Sequence, residues 1–262
     1  MGRRVRCPRC QGTKSWDLKS GKQRCGVCRY DWRPQRMPLR LTRREWGRLM
    51  RWFVLGLSAA HVAQEAQLGR EQVLRALLLV RQAMAGDVPP TFSGVVEVDE
   101  TYLGGSWRNK RLGERVPGTK RGRGTSKQAV FGILCRGGEV WAEVVPNVEA
   151  KTLLPLLHQR VQLGSVVCSD TFTSYTGVAA GGYVHRLVDH SQTFSDRRGS
   201  HVNGLEGFWG YLKRRLAAKG GIRRERLPLY LAEYVWRYNH RHLTVPEQVK
   251  TLLKLMQSYS SG

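Results

Sequence analysis

The sequence predicts an α/β domain with a mixed sheet and flanking helices, preceded by a four-cysteine module and a short helical segment. Three observations carry that reading. From residue 91 onward, β-branched apolar runs alternate with amphipathic stretches, as they do when strands and helices take turns. Before them, Asp87-Val-Pro-Pro90 interrupts a helical pattern and reads as a linker. Four of the six cysteines fall within the first 28 residues, as two pairs. The predicted parts are residues 1–36, 37–88 and 91–262.

Charge bounds the partners. Lys and Arg number 44 against 20 Asp and Glu, a net charge of +24. Self-repulsion on that scale is best offset by a polyanion. Nucleic acid fits, because each neutralised phosphate releases a counterion. A membrane surface is the other polyanion, but no apolar run is long enough to span and the first ten residues contain no signal-peptide core. A soluble, cytoplasmic nucleic-acid-binding protein is the expectation. With 41% hydrophobic residues the chain can bury a core.

In the first part, Cys7-Pro-Arg-Cys10 and Cys25-Gly-Val-Cys28 stand fourteen residues apart. Two C-x-x-C knuckles at this separation place four thiolates around one tetrahedral zinc. Trp16, Lys19, Lys22, Arg24, Tyr30 and Trp32 read as the short strands of a zinc ribbon. Four protein ligands leave no position for water, so one structural Zn²⁺ is expected, and it would carry the folding of so small a segment. Cys135 and Cys168 read as small core residues.

The second part has a helix-turn-helix cadence. Apolar positions recur at Leu49, Trp52, Phe53, Leu57, Val62, Ala66, Val73, Leu74, Leu77 and Leu78. Ser58 can cap a helix, Leu68-Gly69 makes a turn, and a second helix runs from Arg70 to Met84. In such a motif the N-terminal end of the second helix enters the major groove, here offering Arg70, Glu71, Gln72 and Arg75. A plain helical hairpin between two domains is the alternative.

The third part opens with Val95-Val-Glu-Val-Asp99-Glu-Thr-Tyr-Leu103, a strand with Glu97 and Asp99 on one face and Val96 and Val98 on the other. Gly164 to Ser169 forms a second apolar strand that stops at Asp170, where Thr171-Phe-Thr173 begins a helix. The stretch His201 to Arg215 is amphipathic, with Leu205, Phe208, Trp209 and Leu212 facing the sheet and Glu206 at the edge of that face. Thirty-five residues separate Asp170 from Glu206. Carboxylates so placed suit two Mg²⁺ (or Mn²⁺) ions, the arrangement that activates water and stabilises a leaving 3′-oxygen in phosphodiester hydrolysis. Residues 105–127 are Gly-rich and basic, and Arg121 and Arg123 there read either as a phosphate clamp or as a solvated insertion.

These stretches resemble the DDE transposases of RNase H-like fold, in particular the ISXO-like insertion-sequence group. The resemblance rests on Glu97 to Gly105, Ser169-Asp170, Tyr183 to Ser191, His201 to Lys213 and Leu231 to Asn239, with a zinc ribbon and helical segment ahead of them. It implies that Asp99, Asp170 and Glu206 are the catalytic triad and the magnesium ligands. It further implies that Lys213, with Arg214 beside it, contacts DNA near the cut. Binding of the element's terminal inverted repeats, strand cleavage, strand transfer and a homodimer or larger assembly follow from the same resemblance. Asn203 is a rival third ligand, because relatives vary there, and Glu97 or Glu100 are rivals to Asp99. Asp170 as a helix cap and Lys213 to Arg215 as a solvated basic face are the plainer alternatives. His185, His190 and His201 read as core or supporting residues.

Two other readings remain open at this point. Tyr238, with His240 and His242, resembles a tyrosine nucleophile beside a His-x-His metal pair, although the pattern around it is helical. A zinc-ribbon regulator derived from an inactive transposase is the non-enzymatic alternative.

Overall fold

A computed structural model describes residues 6–20, 22–32, 37–104, 127–136, 138–170, 173–187 and 203–259. The chain divides into two compact units, residues 1–76 with 249–262, and residues 77–248. No described helix is long and apolar enough to cross a membrane.

The first unit opens with three short antiparallel strands, β1 (Ser15–Asp17), β2 (Gln23–Cys25) and β3 (Asp31–Trp32), in the order β1-β2-β3. Helix α1 (Arg43–Val54) follows. Its start is set by Thr42, whose side chain accepts from the Glu45 N–H while Glu45 accepts from the Thr42 N–H, a reciprocal cap. Trp46, Leu49, Met50 and Phe53 form its buried stripe. Helix α2 (Ala59–Ala66) begins at Ser58, whose side chain accepts from the His61 N–H, and ends where Gln67 turns left-handed at φ 54°. Leu68 and Gly69 lead into α3 (Arg70–Gly86).

On α3 the buried residues are Val73, Ala76, Leu77, Val80, Ala83 and Met84, whereas Leu74 and Leu78 are 41% and 43% exposed. The apolar pattern of the sequence is wider than the face the helix buries. At 3.6 residues per turn, 73-77-80-84 and 74-78 are adjacent stripes, and only the first meets the core. Helix α7 (Val245–Tyr259) closes the described chain and buries Leu252, Leu253 and Met256.

The second unit is built on a five-stranded mixed sheet. Its strands are β4 (Val95–Leu103), β5 (Gln128–Cys135), β6 (Val140–Val145), β7 (Val166–Ser169) and β8 (Val184–Leu187), in the order β6-β5-β4-β7-β8. The first three form an antiparallel meander, and β7 and β8 then add in parallel beside β4. A parallel addition needs a crossover, which α4 (Ala150–Arg160) supplies. A meander of three strands extended on its first strand by parallel units is the RNase H-like arrangement expected from the sequence.

Helices cover both faces. On one, Val96, Val98, Phe131, Ile133 and Trp141 pack with Leu153 and Leu157 of α4 and with Tyr175 and Val178. On the other, Val130, Leu134 and Cys168 pack with Leu205, Phe208 and Leu212 of α5 (Asn203–Ala217) and with Leu231, Tyr234 and Val235 of α6 (Leu227–Asn239). Edge strand β6 is closed by Asn239, whose amide accepts from the Val140 N–H at 2.8 Å and donates to its carbonyl at 2.9 Å. Cys168 is a core residue, while Cys135 is only partly buried. The helix expected after Asp170 is a single 3-10 turn, Thr173–Tyr175. Its Tyr175 ring is buried against the sheet, so the chain turns into the core there.

Candidate active site and metal centre

Strand β4 sends Glu97 and Asp99 toward α5, and Glu100 toward the opposite face. Asp99 Oδ2 accepts from the Trp209 indole N–H at 2.9 Å, and its Oδ1 accepts from the Glu100 N–H at 2.8 Å. Glu100 accepts from the Tyr175 hydroxyl at 2.8 Å. The parallel register pairs Glu97 with Cys168, so two residues further on the same register sets Asp99 beside Asp170. The electrostatics agree. Burial, then the charge of Glu100 and more weakly that of Asp170, push the Asp99 carboxyl up to about 7 against its two hydrogen bonds. Burial and Glu100 likewise drive the Tyr175 phenol well above its ordinary range.

Glu206 lies in the first turns of α5, exposed, between the buried residues Leu205 and Phe208. Helix α5 packs over β4 and β5. Asp99 and Asp170 are thus brought together by the sheet, while Glu206 stands on the helix that packs over it. Among the described residues, three or more ligand atoms within 4.8 Å of one another occur only at the four cysteines, so the three carboxylates do not form so tight a group. Two partly buried aspartates, Asp99 and Asp170, one of which holds its proton near neutrality, have the donor chemistry for hard divalent cations, whose charge would reverse that shift.

The two rivals for Asp99 are already engaged. Glu97 is 1% exposed, accepts from the Leu205 N–H at 3.1 Å and lies 3.4 Å from Arg136 Nε. Beyond Asp170, Ser169 Oγ donates to the Asp170 carbonyl at 2.8 Å and lies 2.8 Å from His185 Nε2. A hydroxyl has one proton, so His185 is the donor in the second bond. Burial lowers the His185 pKa, in keeping with a neutral ring protonated at Nε2. This residue supports the strand end.

Lys213 and Arg214 are exposed on α5, and Arg70 and Arg75 on α3. Arg121, Arg123, His190 and His201 lie outside the described residues. The tyrosine arrangement does not form. Tyr238 is in α6, the His240 ring stacks on Trp236 at 4.1 Å, and its Nδ1 lies 2.9 Å from the Trp236 carbonyl.

Two further residues hold Asp99 in place. Trp209, a packing residue by its sequence pattern, also fixes Asp99 through its indole N–H. Gly132, paired with Asp99 across the β4–β5 ladder, makes room for it, since a Cβ there would lie 2.6 Å from the indole ring. A glycine inside the apolar strand Phe131-Gly132-Ile133 was the available signal, because it marks close approach.

The cysteine module is built twice over. In each knuckle the first cysteine N–H reaches five residues ahead, Cys7 to Gly12 and Cys25 to Tyr30, both at 2.9 Å. The residue after each second cysteine is left-handed, Gln11 at φ 60° and Arg29 at φ 59°. Backbone N–H groups point at sulfur, Arg9 to Cys7 at 3.4 Å and Val27 to Cys25 at 3.3 Å. The Cys28 N–H, and then that of Val27, pull the Cys25 thiol down to about 6. Sulfur pairs Cys7–Cys28 and Cys10–Cys25 are 3.6 and 3.5 Å apart. A Zn–S bond of about 2.3 Å implies a tetrahedral edge of about 3.8 Å, so the four thiols fit one zinc.

Residues 91–239 match the family described as ISXO2-like transposase domain. An uncharacterized transposase-like protein of Haemophilus influenzae is 35% identical over 119 residues, covering 45% of this chain and 94% of that protein. Among solved structures, a pre-cleavage Mos1 transpososome (12% identity, TM-score 0.27) and the Mos1 strand transfer complex (13%, 0.29) each align with 82% of this chain. They cover 79% and 78% of the Mos1 chains. The family match spans more than half the chain and takes in β4, β7, α5 and α6, and the chain belongs to the ISXO2-like transposase family.

Proposed function

We propose that this chain is a DNA transposase that cuts the ends of its own element and joins them to target DNA, with Asp99, Asp170 and Glu206 as the metal-holding triad. The observation that carries the reading is the register of β4 with β7, which sets two carboxylates side by side under the helix that bears the third. Membership of a transposase family supports it.

In cleavage, a water oxygen attacks the phosphorus at the element's end, and the bond to the 3′-oxygen breaks to leave a 3′-hydroxyl. In joining, that hydroxyl attacks a phosphorus of the target, and the target's own 3′-oxygen leaves. When bound, two divalent ions supply the positive charge that makes the attacking oxygen nucleophilic and stabilises the leaving one. The chain's part is placement. Trp209 and the Glu100 N–H hold both Asp99 oxygens, so that carboxylate keeps one orientation. The Asp99 proton must leave before a cation is held, so metal uptake is coupled to proton release.

Lys213 and Arg214 follow Glu206 on α5 and would meet phosphates beside the cut. The cysteine module with one zinc, and α3 through Arg70 and Arg75, would bind the terminal repeats. Bringing two ends together calls for a dimer or larger assembly on DNA. The test is Mg²⁺-dependent cleavage of a labelled duplex carrying the element's end, wild type against Glu206→Gln. Cleavage by wild type alone is expected. Equal cleavage by both removes Glu206 from the triad, and binding without cleavage by either points to a DNA-binding regulator.

A further inference from the structure

We propose that Glu97 is a positioning residue, whose buried carboxylate anchors the first turn of α5 to the sheet and so fixes where Glu206 stands. The inference rests on the reading of Glu206 as a metal ligand. Glu97 is 1% exposed on a sheet face that also carries the buried apolar residues Val130, Leu134 and Cys168. A carboxylate there is costly unless it is bonded, and an apolar side chain of like volume would pack as well. Its bonds show what it does. One oxygen accepts from the Leu205 N–H at 3.1 Å, a first-turn donor with no partner inside its own helix. The other lies 3.4 Å from Arg136 Nε.

The helix is shaped to receive it. A Cβ on Gly204 would lie 2.8 Å from the bonded Glu97 oxygen, so only glycine lets the backbone come so close. Elsewhere α5 meets the sheet through the apolar contacts of Leu205, Phe208 and Leu212 and through one directed bond, from the Trp209 indole N–H to Asp99 Oδ2. The apolar contacts resist lifting the helix off the sheet more than they resist turning it. A slip of one residue rotates a helix by about 100° and would carry Glu206 away from Asp99 and Asp170. The bond at Leu205, one residue before Glu206, joins the Trp209–Asp99 bond in setting that rotation, and it does so in the turn that bears Glu206. Strand β4 thus serves the site twice, with Asp99 beside Asp170 and Glu97 under the helix that bears Glu206.

The test compares full-length wild type, Glu97→Gln, Gly204→Ala, Glu206→Gln and the double variant Glu97→Gln/Glu206→Gln. Amide hydrogen exchange in the first turn of α5 is measured together with the Mg²⁺ dependence of cleavage and binding of the end duplex. Gly204→Ala crowds the same oxygen without removing charge, so it answers the question if Glu97→Gln fails to fold. Either variant is expected to speed first-turn exchange and raise half-saturating Mg²⁺ by about 10–100-fold, the usual penalty for losing a group that orients a metal ligand. End binding should stay unchanged, and Glu97→Gln should add nothing in the Glu206→Gln background. Unchanged exchange in both variants overturns the anchor, whatever Glu206 does. Faster exchange with an unchanged Mg²⁺ midpoint overturns the positioning role and leaves a structural one. Full activity of Glu206→Gln sinks the metal-ligand reading itself, a failure visible without any Glu97 variant.

Discussion

The cysteine module and the proposed carboxylate site are both suited to metal, and they are assembled in opposite ways. In the module the four sulfurs lie within 4.8 Å of one another, each pair held by a knuckle of a few residues whose backbone N–H groups already face sulfur. In the carboxylate site, Asp99 comes from mid-strand, Asp170 from a strand end and Glu206 from a helix, and the three do not close to such distances. Local chain geometry makes the first site, whereas sheet register and helix docking make the second. A site made locally needs its ion to fold around. One made by a packed domain can exist without its ion, and it then holds surplus like charge.

The largest expected effect tests the first half of that contrast. Three strands of two or three residues bury little, so zinc binding worth about 10–16 kcal/mol would supply most of the module's folding free energy. Chelation, or Cys25→Ser, should unfold residues 6–32 and weaken end binding while the far-ultraviolet signal of the rest persists. Retained amide protection in the module after complete zinc removal would refute this.

The second effect concerns the surplus charge. Asp99 has a folded-state pKa of about 7, above the ordinary carboxyl value near 4. A raised folded pKa means that its contribution to metal-free stability is full below about pH 4 and lost as pH rises through 7. Asp99→Asn should therefore stabilise the metal-free chain at pH 8 by up to about 4 kcal/mol from the shift. A protonated carboxyl and an amide each replace one acceptor oxygen by a donor, so the two chains differ little where Asp99 is neutral. Melting curves should separate at pH 8 and converge at pH 4, with the gap narrowing on adding Mg²⁺, which only wild type holds well. Coincident curves at pH 8 would mean that Asp99 is not buried as described.

The same contrast explains what the sequence disclosed. Cys7 to Cys28 could be read from spacing alone, because two short knuckles leave the sulfurs one arrangement. Strand β4, the strand ahead of Asp170 and the helix at Glu206 were legible from alternation and amphipathic period. Which carboxylate did what was not. Period 2 gave Glu97 and Asp99 the same face, and only the docking of α5 shows that Glu97 meets a backbone N–H while Asp99 meets an indole. Leu74 and Leu78 show the converse: two apolar residues that belong to the helical pattern are left exposed, because burial depends on a neighbour that periodicity cannot see.

Gly132 gives a smaller effect, confined to the carboxylate site. Its missing Cβ is the space the Trp209 ring occupies, at 2.6 Å from where that atom would be. Gly132→Ala should cost about 1–3 kcal/mol by overpacking, read from denaturant melts. It should also displace Trp209 and so loosen Asp99, raising the Mg²⁺ needed for cleavage. A wild-type melt would mean that the indole is not pinned between Gly132 and Asp99.

The smallest effect sharpens the contrast from the ribbon side. Arg24 and Asp31 make the best-formed polar pair of the module, with two bonds of 2.6 and 2.8 Å between β2 and β3. Each holds the other charged, since Asp31 raises the Arg24 pKa and Arg24 lowers that of Asp31. Were the ribbon held together as the larger domain is, removing that pair would be felt. Exposed pairs, however, exchange one set of water contacts for another and are screened by salt. If zinc dominates, Arg24→Ala should leave zinc stoichiometry, resistance to chelation and the melting of the module unchanged. Faster zinc loss to a chelator in Arg24→Ala would show that β-pairing and metal share the work, and that the module is less purely local than its knuckles suggest.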